Sequence, residues 1–268
     1  MRNFLLLTAP VLLLSVPQPQ SPSAILTPAT GQVVPLAAPG AVLTNAARQV
    51  LLARTNLGRL WQHQPQAGPE AVLNGCFGYD GRRLEFVFTT VRPDAKSPGR
   101  YLVAGKFRCY GDVTPFRGSI ELQQVQRLPA DVKVYDADDN PSSVPTYCAT
   151  GGFALRATSS HGLGGEFSGR VALDFQLTPS KRAVLIETTA NPTTRNGGLL
   201  FDGQWRNDAA AEAVPALWKQ GIAVTRQVLT RFGMGDRSGN INRKYTRVGW
   251  DTFWKNDEWW FEKQLAQR

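Results

Sequence analysis

About nine segments between residues 70 and 206 alternate apolar with polar residues, and this alternation restricts the fold more than any other feature. RLEFVFTTV, RYLVAGKFRC and FRGSIELQQV are examples, separated by turn-rich pieces such as YDG and RPDAKSPG. Successive side chains of a strand point to opposite faces, so a period of two predicts strands with one buried face. No intervening helix is long enough to connect parallel neighbours. The sequence therefore predicts a mainly β protein, an antiparallel curved sheet, barrel or sandwich of about nine strands.

An F-x-G motif recurs at three places in this region, in FRGSIEL, FSGRVAL and FDGQW, which begin at Phe116, Phe167 and Phe201. Residues two apart in a strand share a face, so the aromatic and the glycine lie on the same side. A strand glycine permits a bend or a close approach of backbones, and a neighbouring ring can cover it. The motif predicts the corners of a closed or curved sheet. A ligand-contacting glycine is the alternative interpretation.

The ends of the chain differ in composition from this β region. MRNFLLLTAPVLLLSVPQPQSPSA has the charged, apolar and small-residue order of a secretory signal, and the next segment is uncharged and rich in proline, alanine and glycine. The predicted divisions are a signal peptide at 1–24, a linker at 25–42 and one β-rich domain at 43–268, with β halves at 70–128 and 147–206 and a helical cap at 207–268. We expect the mature chain to be secreted or periplasmic, with no transmembrane segment.

Two amphipathic segments are predicted as helices. Residues 43–61 have an apolar stripe, with Thr44 as the N-cap. Residues 249–268, GWDTFWKNDEWWFEKQLAQR, have apolar residues at helical spacing beside a charged flank and predict an amphipathic C-terminal helix.

Three tryptophans of the C-terminal segment, Trp250, Trp254 and Trp260, are the candidate ligand-binding residues. A stripe at helical spacing is typical of a helix that is docked on the core. An exposed aromatic platform for a sugar or a membrane surface is the functional alternative.

Net charge and cysteine content say less about the binding partners of the protein than the sequence patterns above. The formal net charge of +9 favours acidic partners such as anionic glycans, lipid headgroups or nucleic acid, but the cations are scattered singly, which is typical of a solvated basic surface. We expect no nucleic-acid partner. The three cysteines, Cys76, Cys109 and Cys148, lack a C-x-x-C spacing, and the sequence does not choose among their pairings. Cys109 shares the alternating face of Tyr101 and Phe107, which predicts a small buried core residue.

No catalytic motif is present in the sequence, so we name no catalytic residue. The two histidines lie far apart, and no nucleophile elbow or phosphate-binding loop occurs. The segment YDADDNPSS offers Asp136, Asp138 and Asn140 as oxygen ligands, so calcium is a candidate cofactor, although Pro141 departs from the EF-hand pattern. Among the scattered carboxylates, Glu121 with Asp174 and Glu166 with Glu187 are examples of pairs that a glycosidase requires.

The segments LNGCFG, GRYLVAGKFR, PFRGSIEL, FDGQW and NRKYTRVGW, over residues 73–250, resemble secreted bacterial β proteins of unassigned function. Short antiparallel strands that end in G-x-W are also similar to lipocalin and avidin barrels, and that similarity implies a cavity for a small apolar or amphipathic ligand. The chain lacks the early G-x-W of lipocalins and is much longer than avidin, so no binding residue is transferred.

Two functional hypotheses follow from the sequence. The first is a secreted, non-enzymatic binding or envelope-associated module whose ligand is an unknown small molecule or glycan. The second is a carbohydrate-active hydrolase, suggested by abundant tryptophan and scattered carboxylates.

Overall fold

A computed structural model describes residues 40–64, 72–132, 144–158, 162–208, 211–220, 228–231, 240–253 and 258–261 of the 268-residue chain. The strands are β1 (Leu73–Phe77), β2 (Arg82–Pro93), β3 (Arg100–Cys109), β4 (Asp112–Arg127), β5 (Thr146–Ala157), β6 (Glu166–Leu177), β7 (Ala183–Leu185), β8 (Leu199–Arg206), β9 (Val214–Lys219), β10 (Leu229–Arg231) and β11 (Asn240–Ile241). The α-helices are α1 (Asn45–Arg54) and α2 (Arg243–Thr246). Within these ranges no helix has the length and apolar character needed to cross a bilayer.

Eight strands close into an antiparallel barrel in the order β1-β2-β3-β4-β5-β6-β8-β9, with β9 paired to β1. β7 adds a ninth strand along the end of β6, and β10 pairs with β11 in a separate ribbon. Closure removes the exposed edges that an open sheet would present. The predicted antiparallel β architecture is confirmed. β9 lies within the region predicted as the helical cap, so the barrel extends beyond residue 206.

Aromatic side chains fill the interior of the barrel. Trp218 of β9 is fully buried, with its ring centroid 4.2 Å from that of Phe86 and 5.1 Å from that of Phe201. Other pairs of rings in the interior have centroids 5.2 to 5.5 Å apart, as do Phe107 with Phe167 and Phe88 with Phe201. Rings this close pack as in a protein core and leave no room for a ligand between them. The interior is therefore a hydrophobic core.

The three F-x-G motifs lie where neighbouring backbones approach each other closely. Phe116, Phe167 and Phe201 are buried in the core, which places the glycine two residues after each of them on the inward face. Gly169 of β6 is opposite Gly203 of β8, and a Cβ on either would collide with the backbone of the other strand. The shared face predicted for the aromatic and the glycine is confirmed, and close backbone approach explains the glycine.

The N-terminal helix predicted at 43–61 is confirmed in part, since α1 packs on the barrel core but ends at Arg54. α1 begins after Thr44, whose hydroxyl accepts a hydrogen bond from the backbone N–H of Ala47 at 3.3 Å. A 3₁₀ turn at Leu57–Leu60 follows. Its Leu57 backbone N–H donates to the hydroxyl of Tyr101, which faces inward near the start of β3, and the Trp61 ring meets that of Tyr101 edge-on at 5.0 Å.

The C-terminal segment differs from the continuous helix predicted at 249–268. Its described residues are a 3₁₀ turn at Trp250–Thr252 and a turn at 258–261. Gly249 has a φ of +91°, which ends the helical path after α2, and the Trp250 indole N–H is held by the carbonyl of Gly81 at 2.8 Å. A tertiary contact thus fixes Trp250 where the periodic pattern alone predicted a longer helix.

Candidate functional site

Two of the three candidate tryptophans are buried against the outer wall of β2. Trp250 is fully buried and Trp260 is 5% exposed, packed with Val72 and Val87. Trp254 lies outside the described residues. Neither Trp250 nor Trp260 offers an exposed ring face as a platform, and their burial matches the docking alternative.

An ion-pair cluster of Arg83, Glu85 and Arg108 lies beneath the segment that contains these tryptophans. Glu85 accepts from Arg83 at 2.8 Å and from Arg108 at 2.6 and 2.9 Å, and all three side chains are nearly buried. Arg83 also donates to the hydroxyl of Thr252 at 2.9 Å, so the cluster fastens the C-terminal segment to the barrel. A depression of about 420 Å³ opens beside it and is lined by these three charged residues, which bind one another, and by Arg247 and Asp251. Because buried, mutually paired charges are expensive to separate, we assign this cluster a structural role.

The predicted metal and cysteine sites have different outcomes. Asp136, Asp138 and Asn140 lie outside the described residues, and within those residues no group of three or more metal-ligating side chains occurs. The three cysteines are not joined by a disulfide. Cys109 is buried as predicted, and burial raises the pKa of its thiol to about 11.

The carboxylate pairs suggested for hydrolysis are not brought together. Glu121 is exposed on β4, whereas Asp174 is buried on β6 with β5 between the two strands. The β6 residue in register with Glu121, across β5, is four residues before Asp174. Glu121 and Asp174 are therefore about 10 Å apart across the sheet and 13 Å apart along it. Glu187 lies near Asp174, because the backbone N–H of the preceding residue, Ile186, donates to the Asp174 carbonyl. Glu166 begins β6 eight residues before Asp174, which is roughly 26 Å away by strand rise.

A groove crosses the outer wall of the barrel over β4, β5, β6 and β8, and we name it the outer groove. Two adjoining cavities of about 400 and 410 Å³ form it and share Thr150 and Arg170. Each is within the size range of known ligand sites. Gly152 of β5 leaves the floor without a side chain. The polar side chains that line the outer groove are Gln123, Gln124, Thr150, Arg170, Thr193, Arg195 and Asp202.

A β-bulge in β4 supplies two of these side chains. The pairing of β4 with β5 shifts between Leu122 and Gln124, so Gln123 is an extra residue, and both glutamines are exposed. Bulges are found next to functional sites, where they redirect a side chain. Here the bulge places two carboxamides side by side along the outer groove.

Five side chains of the outer groove have no polar partner within the described part of the chain. Those of Gln123, Gln124, Thr150, Arg170 and Thr193 form no hydrogen bond or ion pair to another residue there. No described residue therefore competes with a ligand for their donors and acceptors. This separates the outer groove from the ion-pair cluster on β2, whose groups already bind one another.

A buried polar network anchors the loop that forms one wall of the outer groove. The Asp174 carboxylate, fully buried, accepts from the hydroxyls of Thr189 and Thr194 at 2.7 and 2.8 Å and from the amide of Asn191 at 2.8 Å. Since Thr193 and Arg195 lie between and beside these residues, the network fixes where both reach the outer groove.

Lys219 of β9 completes this anchor. Its ammonium group, 2% exposed, donates to the carbonyls of Thr194 at 2.8 Å and Arg195 at 2.6 Å. Arg195 has a φ of +52°, a left-handed conformation that is uncommon outside glycine and here is held by these contacts. Burial lowers the pKa of Lys219 to about 8, and the attraction of Asp174 opposes that shift.

Lys219 makes the stability of this anchor depend on pH. Its pKa is lower in the folded protein than the ordinary 10.5, so the unfolded chain binds more protons between about pH 8 and 10.5, and this group favours folding more as the pH rises through that window. We expect the difference in unfolding free energy between the parent and Lys219→Met to grow from pH 8 to 10.5 in urea titrations. Other titrating groups, such as Cys109, are present in both proteins and cancel. A difference that stays constant over this range would contradict the assignment.

Comparison with protein-family models, curated proteins and solved structures gives no match to this chain, so the functional assignment rests on the geometry of the outer groove.

Proposed function

We propose that the protein is an exported, non-enzymatic binding module whose ligand, a small molecule or glycan, lies in the outer groove. The observation that carries the proposal is the set of uncommitted polar side chains that surrounds a glycine floor on the rigid barrel wall. A pocket with a few placed polar groups is the usual form of a ligand site.

The contents of the barrel support an external site. Lipocalin-like and avidin-like proteins, which the sequence resembles, bind ligands inside the barrel, but this interior is occupied by stacked rings such as Trp218, Phe86 and Phe201. A ligand therefore requires a surface outside the barrel, and the outer groove is a polar surface of suitable size.

The chemistry of the lining favours a hydroxyl-rich ligand. Carboxamides and the hydroxyls of Thr150 and Thr193 both donate and accept hydrogen bonds, and the guanidinium group of Arg170 donates in pairs. Such groups match the neighbouring hydroxyls of a sugar, and the expected export of the chain would bring it into contact with extracellular glycans. The separation of the Glu121–Asp174 and Glu166–Glu187 pairs supports binding over hydrolysis.

Filling the groove floor tests the proposal. A Cβ on Gly152 would meet only the carbonyl oxygen of Gly169 at 3.6 Å, so Gly152→Tyr is expected to fold and to place its ring in the outer groove. Against a panel of dextran, xylan, chitin oligosaccharides and polygalacturonate, measured by calorimetry, we expect the ligand that binds the parent to bind this variant at least tenfold more weakly, about 1.4 kcal/mol.

The matched control is Ala154→Tyr, which places the same ring on the exposed outer face of β5 outside both cavities. It should bind as the parent does. Equal binding by Gly152→Tyr and the parent, or no binding to any member of the panel, would refute the outer groove as a glycan site. Release of reducing ends from a bound polysaccharide would instead support the hydrolase alternative.

A further inference from the structure

Resting on the proposed function, we propose that the outer groove selects an acidic polysaccharide, whose carboxylate or sulfate groups are bound by Arg170. The three charged residues that line the groove are Arg170, Arg195 and Asp202, which together carry one net positive charge. Charged hydrogen bonds from arginine to such anions are stronger than neutral ones and are often bidentate.

Of these three residues, Arg170 is the one without an oppositely charged partner among the described residues. It lies on the exposed outer face of β6, opposite Gly152 on one neighbouring strand and Asp202 on the other. No carboxylate oxygen of a described residue lies within 4.0 Å of its guanidinium group, although Asp202 is its cross-strand neighbour. An anion above Gly152 would therefore reach Arg170 without displacing an existing partner.

Arg195 partly offsets the negative charge of Asp202 beside this position. The Arg195 guanidinium donates to Asp202 at 2.7 Å in an exposed ion pair. The backbone at Arg195 is held by the contacts of Lys219 to the carbonyls of Thr194 and Arg195. The groove thus holds one paired arginine at its wall and one open arginine over its floor.

The floor beside Arg170 suits a sugar chain in particular. Gly152 has no side chain, and Glu121 lies opposite it on β4, two strands from Arg170. Asp202, the acidic residue next to Arg170 in the same row, is paired with Arg195. At about 4.8 Å per strand, the trough between Glu121 and Arg170 is roughly 10 Å wide. The two glutamines of the bulge border the same floor, where they can bind hydroxyls while Arg170 binds the acidic group.

The test compares sugar chains that differ only in charge. Polygalacturonate carries carboxylates that its methyl ester lacks, and dextran sulfate carries sulfates that dextran lacks, so the two pairs also distinguish the two anions. At 150 mM salt we expect the parent protein to bind at least one charged polymer tenfold or more tighter than its neutral partner. Arg170→Gln should remove most of that difference and leave binding of the neutral polymer within about twofold.

Arg156→Gln is the control for general attraction to a basic protein. Arg156 is exposed on the outer face of β5 and does not line the outer groove, so the variant loses the same charge at a different place. It should change the affinity for the charged polymer by less than about twofold. Equal losses in Arg170→Gln and Arg156→Gln would overturn the proposal, since they would show attraction to the overall charge.

Two further results separate this inference from the proposed function. If charged and neutral polymers bind equally and Gly152→Tyr weakens both, the groove is a glycan site without anion selectivity, and only the present inference fails. If no polymer binds, both fail, and Arg170-dependent binding to phosphatidylserine vesicles in that case would identify a membrane surface instead.

Discussion

Replacement of Trp218 by alanine is expected to lower the free energy of unfolding by about 3 to 5 kcal/mol. The Trp218 ring lies between Phe86 and Phe201, nearly parallel to both, and it is fully buried. Its removal leaves a cavity that neighbouring strands cannot close, because the hydrogen-bonded barrel fixes their separation. Chemical unfolding of the parent and Trp218→Ala measures the difference.

The control for this prediction is an aromatic residue at the surface. Tyr79, in the turn between β1 and β2, is 89% exposed, and Tyr79→Ala should alter stability by less than about 0.5 kcal/mol. If Trp218→Ala unfolded at the same denaturant concentration as Tyr79→Ala, the filled interior would be wrong and a ligand cavity within the barrel would have to be considered again.

Gly169→Val is expected to destabilise the protein by about 2 to 3 kcal/mol, as overpacking of a core does. The new Cβ would collide with the Cα of Gly203 and with the backbone of Asp202, so β6 and β8 must separate. Gly118→Val should act in the same direction, since its Cβ would collide with the carbonyl of Ala154. Thermal and denaturant unfolding of each variant provide the measurement.

The same substitution on the opposite face is the matched control. Gly152 faces outward on β5, and a Cβ there has only an ordinary contact at 3.6 Å, so Gly152→Val should leave stability nearly unchanged. Equal stability of Gly169→Val and Gly152→Val would mean that close backbone approach does not explain the F-x-G motif.

These expectations share a structural basis with the proposed binding role. A closed barrel with a solid aromatic core holds its outer side chains in fixed rows, such as Glu121, Gly152, Arg170 and Asp202 across four strands. A site on rigid strands loses little conformational entropy when a ligand binds. The filled interior therefore gives the outer groove a rigid support.

Part of the fold followed from local patterns. Alternation over segments such as RYLVAGKFRC predicted strands because one face of each is buried, and Thr44 predicted the start of α1 because its hydroxyl can bond to the backbone N–H of Ala47. The helix predicted at 249–268 shows the limit of such patterns. Its periodicity is real, but the contact of Trp250 with Gly81, 169 residues away, decides the local conformation.

The outer groove had weaker signals in the sequence. The bulge at Gln123 interrupts the alternation of β4, and the run TTRNGG contains residues that adopt left-handed conformations, yet neither feature indicates what lies beside it in space. The candidate tryptophans were chosen because they are concentrated in one segment. The structure buries Trp250 and Trp260, and groups polar residues from distant segments instead.

By itself the sequence determined the strand content, the antiparallel arrangement, the first helix and the shared face of each F-x-G pair, because these depend on residues a few positions apart. The tertiary structure decided which strands close the barrel, that rings fill it, and that Gln123, Arg170, Thr193 and Asp202 meet at one groove. Those features depend on strand register, which brings residues up to 79 positions apart, from 123 to 202, into neighbouring rows. The hydrophobic pattern and the turns set the register of each strand pair, but the alignment of residues across four strands depends on how the whole barrel closes.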